Sequence, residues 1–203
     1  MTAPAGHAPT QLLYLHGFRS SPQSFKARRL HAWLASHRPE VDWWCPQLPP
    51  SPRAAMAMVE VGIADWPRDS MAVLGSSLGG FYATWVAQRC ACPVVLMNPA
   101  VNPARDLAAY IGEMSAYHDP GQRFFFRPEF VDELHELEVG ELADPGRVLA
   151  IVAKGDELLD WREMVARYPG ADLRLLEGSD HALSDFEVHL PALLQFLRLL
   201  PRA

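Results

Sequence analysis

Six short apolar runs recur along the 203-residue chain, each giving way to glycine, proline or a polar loop. They are "QLLYLHG" (11–17), "VDWWCPQLPP" (41–50), "SMAVLG" (70–75), "CPVVLMNPA" (92–100), "RVLAIVAKGD" (147–156) and "ADLRLLEGSD" (171–180). Runs of this length, apolar on both alternating faces, are what a fully buried strand requires. Helical patterns lie between them. Strands that alternate with helices need crossover connections, which are right-handed and leave the strands parallel. The expected class is therefore α/β, with a mostly parallel sheet covered by helices on both faces.

The helical stretches carry their own start signals. Ser21-Pro22 opens one in which Phe25, Leu30, Trp33 and Leu34 share a face, ending before Pro39. "SPRAAMAMVEVGIADW" (51–66) has a serine cap and a proline in its first turn. "SLGGFYATWVAQRC" (77–90) follows the third strand run, and the last helix lines up Leu190, Leu193, Leu194 and Leu197 with Pro191 near its start. One segment, 101–146, is too long for a simple crossover. Leu107, Tyr110, Ile111 and Met114 have helical spacing there, "FFF" (124–126) is a dense aromatic run, and "PEFVDELHELE" (128–138) reads as a helix. The segment is expected to be a helical excursion or a small cap, since ligands of open α/β sheets bind beyond the strands' C-terminal ends. Residues 1–10 read as a flexible tail and 11–203 as a single domain.

A net charge of −6 without any run of Lys or Arg argues against nucleic acid or an anionic membrane as partner. No stretch approaches the ~18 consecutive apolar residues of a membrane span. The N-terminus lacks the basic and apolar regions of a signal peptide. Three cysteines, Cys45, Cys90 and Cys92, suit neither a disulfide framework nor a four-ligand zinc site. They read as buried thiols, no metal is expected, and the expected location is the cytoplasm.

The chemistry gathers at the strand ends. In Gly75-Ser76-Ser77-Leu78-Gly79 the G-x-S-x-G register makes Ser77, not Ser76, the candidate nucleophile. Such a serine sits on a sharp strand-to-helix turn, with Gly75 and Gly79 letting strand and helix approach. The Leu78 N–H then points at a developing oxyanion, aided by the helix N-terminus. No phosphate-loop pattern competes. A serine needs a base: His181, after the last strand run, is the candidate, whereas His189 lies inside the final helix. His7, His31, His37, His118 and His135 lie in the tail, on helices or in the irregular segment. The acid is expected after "VLAIVAKGD", where Asp156 comes first and Glu157 and Asp160 compete in the same loop. Asp180 adjoins His181 too closely to orient its ring. The loop after the first strand, "LHGFRSSP", has Gly17 for the turn and the Phe18 N–H as second oxyanion donor. His16 reads as a structural residue bonding loop backbone. Arg19 is either a handle for an anionic substrate or a solvated loop residue.

Taken in order, "LLYLHGF-x-SSP", "PQLPP", "GSSLGGFYATW", "NPAVNP", "GDELLDWR" and "EGSDHALSDFE" resemble the YqiA-like esterases, a small branch of the α/β-hydrolase superfamily. The resemblance implies a compact α/β-hydrolase with Ser77 as nucleophile, Asp156 as acid and His181 as base. It also implies a cofactor-free carboxylesterase acting on short acyl or aryl esters of small molecules. A thioesterase or acyltransferase with the same triad, or a non-catalytic binding protein on the same fold, are the alternatives.

Overall fold

The apolar runs do become strands. A computed structural model describes residues 7–117, 119, 121 and 123–200 of the chain. His118 and most of the N-terminal tail lie outside the described residues. A parallel six-stranded sheet is built from β1 (Gln11–Leu15), β2 (Asp42–Trp44), β3 (Met71–Ser76), β4 (Val94–Met97), β7 (Val148–Ala153) and β8 (Asp172–Leu176), in the order β2-β1-β3-β4-β7-β8. Thr10, placed in the tail by sequence, is already tied to the strands on both sides of β1: its N–H donates to Ser70 O and its carbonyl accepts from Asp42 N.

Strand side chains alternate between two cores, as a period of two demands. Leu12, Tyr14, Ala72, Leu74, Val95, Met97, Leu149 and Ile151 face α1 (Phe25–His37) and α7 (Phe186–Phe196). Leu13, Leu15, Val73, Val94, Leu96, Val148, Ala150 and Val152 face α2 (Pro52–Gly62), α3 (Leu78–Cys90) and α6 (Trp161–Arg167). β1, β3, β4 and β7 are thus buried on both sides, which explains their unbroken apolar runs, while β2 and β8 at the sheet edges are only partly covered.

α1 leaves β1 toward one face while α3 leaves β3 toward the other, so the neighbouring ends of β1 and β3 diverge. That is the switch point of an open α/β sheet, where a crevice forms. Ser77 stands there.

Several local expectations need correction. In α1 the buried residues are Lys26, Ala27, Leu30 and Leu34, while Phe25 is 41% exposed at the helix start. Pro191 lies mid-helix in α7, which begins at Phe186. The excursion is not wholly helical. α4 (Pro103–Leu107) runs into a 3-10 turn ending at Tyr110, and Gly112, at φ 141°, then opens an antiparallel hairpin of β5 (Gly112–Ser115) and β6 (Arg123–Phe126). Met114 therefore lies on a strand. The apolar spacing from 107 to 114 spans two elements, and a glycine conformation barred to other residues separates them. α5 (Pro128–Glu136) forms as expected and caps α2: Glu133 Oε2 accepts from Ser51 Oγ at 2.6 Å and from Arg53 N at 3.0 Å. A carboxylate at a helix N-terminus meets unpaired amides and the positive end of the dipole.

Candidate active site

Ser77 sits between β3 and α3 at φ 55°, ψ −124°, a conformation rarely tolerated by a residue with a Cβ. Steric demands at the neighbouring glycines hold it there. A Cβ on Gly75 would lie 2.1 Å from Gly79 O, and one on Gly79 would lie 2.0 Å from Leu15 O. Gly80, which would press Pro99 at 2.7 Å, serves the packing of α3 against the loop after β4. The turn has the geometry of a nucleophile elbow. Ser76 is buried, and it is the Ser77 hydroxyl that the His181 imidazole reaches.

His181, in the loop after β8, receives the Ser77 hydroxyl on Nε2 at 3.0 Å and donates from Nδ1 to Asp156 Oδ2 at 2.8 Å. The Asp156 side chain is fully buried and the His181 side chain is 16% exposed, so solvent reaches the base but not the acid. Asp156 Oδ1 accepts from Leu158 N and Leu159 N, both at 2.8 Å, so both lone pairs of that oxygen are occupied and the carboxylate's orientation is fixed. The competitors have other work. Glu157 accepts from the His181 backbone N–H at 3.0 Å, Asp160 caps α6 through Arg162 N, and Asp180 binds Ser184 N and Oγ.

Three supports of these loops had no clear signal in the sequence. Asn98, fully buried at φ 42° just past β4, accepts from Ala153 N at 2.8 Å and donates to Asp180 O at 2.9 Å and His181 O at 3.1 Å. One amide thus ties the acid loop to the base loop, in a left-handed conformation that asparagine tolerates. Gly155 lets those loops touch: a Cβ there would lie 2.1 Å from Ser179 O. Lys26, from α1, donates to the Ala182 carbonyl.

The loop after β1 passes close to the nucleophile. A Cβ built on Gly17 would be 3.6 Å from Ser77 Oγ. The His16 ring bonds loop backbone on both sides: Nδ1–H donates to Gly17 O at 3.0 Å and Nε2 accepts from Leu48 N at 3.1 Å. Leu78 is the first residue of α3, so its N–H is among the amides with no intrahelical partner. Arg19, partly exposed, is tied to the hairpin side: Nε donates to Ser115 O at 2.7 Å, and its guanidinium stacks over Tyr117 at 4.1 Å. The Phe18 ring contacts Tyr110, Phe124 and Phe126 edge-on, with centroids 5.2–6.1 Å apart. Both residues join this loop to the hairpin.

Ser77 and His181 open on a cavity of about 770 Å³. Phe18, Leu107, Tyr110, Leu158 and Leu159 give it apolar walls, and Ser20, Ser24, Lys26 and Ser184 line a polar side. Among the described residues no cluster of His, Cys, Asp or Glu is arranged to hold a metal ion, and no helix is long and apolar enough to cross a membrane. A hydroxyl, an imidazole and a buried carboxylate in this chain of hydrogen bonds form the constellation of a serine hydrolase.

The same fold recurs in known structures. Mouse α/β-hydrolase domain-containing protein 10 matches with a TM-score of 0.68 at 16% identity, over 95% of this chain and 92% of that one. A metagenome-derived lipolytic enzyme of the LipS and LipT pair matches with 0.68 at 20% identity, over 96% of each chain. Est1E of Butyrivibrio proteoclasticus, with ferulic acid bound, matches with 0.72 at 15% identity, over 98% and 92%. At these identities the likeness is one of fold. The profile of the uncharacterised protein family UPF0227 matches residues 11–198, from the start of β1 to just past α7, and the chain belongs to that family, the YqiA-like branch of the α/β-hydrolases.

Proposed function

We propose that the protein is a carboxylesterase that cleaves short-chain acyl or aryl esters of small molecules through an acyl-enzyme. The observation that carries the reading is the unbroken chain from Ser77 Oγ through His181 to Asp156 at 3.0 and 2.8 Å. Ser77 Oγ attacks the ester carbonyl carbon as its proton passes to His181 Nε2. Asp156 holds the ring by Nδ1 and stabilises the imidazolium. The Phe18 and Leu78 N–H groups receive the oxyanion. When the tetrahedral intermediate collapses, the bond to the alkoxy oxygen breaks and Nε2 protonates the leaving alcohol. Water, deprotonated by the same nitrogen, then attacks the acyl carbon and releases the acid and Ser77.

The cavity size falls in the range of small-molecule sites, and its apolar walls fit acyl or aryl groups. The Est1E structure holds ferulic acid, an aryl carboxylic acid, on the same fold. The segment 101–146 acts as a small cap, lending Leu107, Tyr110 and Tyr117 to the cavity wall. Three free thiols fit a reducing, cytoplasmic setting.

Stopped-flow hydrolysis of matched 4-nitrophenyl and thiophenyl acetates tests the reading. A burst of 4-nitrophenol equal to the enzyme concentration, with the oxygen ester preferred, is expected. Preference for the thioester, or partition of the acyl group to added alcohols, makes the protein a thioesterase or an acyltransferase instead.

A further inference from the structure

Lys26 is the second residue of α1 and only 8% exposed, on a helix face otherwise made by Ala27, Leu30 and Leu34. Its ammonium donates to the carbonyl of Ala182, the residue after His181. Asn98 holds the carbonyls of Asp180 and His181. Three successive carbonyls of the base loop are therefore gripped by side chains from two other elements. Lys26 also lines the cavity shared by Ser77 and His181, and the carboxylates of Asp180 and Asp156 act on it electrostatically. Burial pulls its pKa from 10.5 down to about 8, against the opposing pull of those two aspartates. A buried ammonium is expensive, and an apolar residue would fill the helix face without that penalty.

We propose that Lys26 is a positioning residue for the catalytic base, its hydrogen bond to Ala182 holding the His181 loop against Ser77 and its charge offsetting the surrounding carboxylates. The proposal rests on reading His181 as the base. The charged groups nearest His181 are Asp156 and Glu157 from the loop after β7, Asp180 from its own loop, and Lys26 from α1, while at the two ends of the loop Glu177 pairs with Lys154 at 2.7 Å and Asp185 with His189 at 3.0 Å. Lys154 is engaged with Glu177, so removing the Lys26 ammonium leaves the carboxylates around His181 in greater excess, which favours the protonated imidazole. The base then becomes neutral, and active, only at higher pH.

The test compares wild type, Lys26→Met and Lys26→Gln in ester hydrolysis across pH, with hydrogen–deuterium exchange over residues 177–185. In Lys26→Met, kcat is expected to fall about ten- to hundredfold, as for a slightly misplaced catalytic group. KM should stay within a few-fold, the acid limb of kcat/KM should move to higher pH, and the 177–185 backbone should exchange faster. Lys26→Gln keeps a donor without the charge, so it should recover part of kcat and leave the acid limb displaced. Wild-type kcat with an unmoved acid limb in Lys26→Met overturns the proposal. So does a loss of kcat matched by lost stability with the limb unmoved, which makes Lys26 a residue of the fold alone. The exchange measurement needs no turnover: unchanged protection refutes the positioning role even if the wild-type protein hydrolyses no ester.

Discussion

Around Ser77 backbone meets backbone, whereas in the segment from α4 to β6 side chain meets side chain. At the elbow, carbonyl oxygens lie where the Cβ atoms of Gly75 and Gly79 would be, and Gly155 presses on Ser179 O. The hairpin reaches the same site through the rings of Phe18, Tyr110, Phe124 and Phe126 and the guanidinium of Arg19. Contacts between main-chain atoms cannot be relieved by a rotamer change, so the triad geometry is held in one arrangement. Ring contacts at this wall, where Phe126 is buried but Tyr110 is exposed, can be exchanged for others of similar size. We propose that the difference separates the part of the molecule that does chemistry from the part that selects what reaches it.

The sharpest way to break this comparison is Gly79→Ala. Its Cβ would fall 2.0 Å from Leu15 O, so destabilisation at the upper end of overpacking, about 3 kcal/mol, is expected together with loss of ester hydrolysis. Chemical denaturation and turnover measure both. A stable, active Gly79→Ala protein refutes the rigid-backbone reading of the elbow.

Asn98→Ala comes next. It strips a fully buried amide from three partners and places alanine at φ 42°. A loss of about 2–3 kcal/mol is expected from the orphaned Ala153 N–H and the left-handed backbone, with kcat falling more than KM rises. If KM carries the loss instead, Asn98 belongs with the cavity wall rather than with the triad supports.

Lys26 gives a pH-dependent check on the same scaffold. Its folded-state pKa of about 8 lies below the unfolded value of 10.5. Between the two the unfolded chain binds the extra proton, so stability from this group is missing at neutral pH and grows as pH rises through that window. Relative to Lys26→Met, the wild type should gain about 2 kcal/mol between pH 7 and pH 9.5, read by urea denaturation at each pH. A constant difference means that burial does not depress the lysine.

The smallest effect is expected in the cap. Tyr110 is 40% exposed and touches Phe18 edge-on. Tyr110→Ala should cost less than about 1 kcal/mol of stability, near the value of one aromatic pair, while shifting KM several-fold between acetyl and bulkier aryl esters. An equal kcat loss for every ester would place the cap among the catalytic supports and erase the contrast.

How much of this was legible in the sequence follows the same division. The elbow and triad stand out because steric necessity restricts them to a few residue types at fixed spacing beside strands. Arg19 and the hairpin were hidden: a loop arginine has no local partner, and the 107–114 spacing fits a helix until Gly112 is read as a breaker. Nothing local marks Lys26, in the first turn of a helix, because its burial depends on the base loop far away in sequence. Asn98, in "NPAVNP", sat within a family-like motif, but its role needs two loops over 50 residues downstream. Long-range partners, rather than weak propensities, are what the sequence concealed.

The most direct measurement on the nucleophile is intact-mass analysis after reaction with a fluorophosphonate, comparing wild type, Ser77→Ala and Ser76→Ala. One adduct on wild type and on Ser76→Ala, and none on Ser77→Ala, is the expected result. An adduct that persists in Ser77→Ala and disappears in Ser76→Ala, or a wild-type protein that never labels, would contradict the assignment of Ser77.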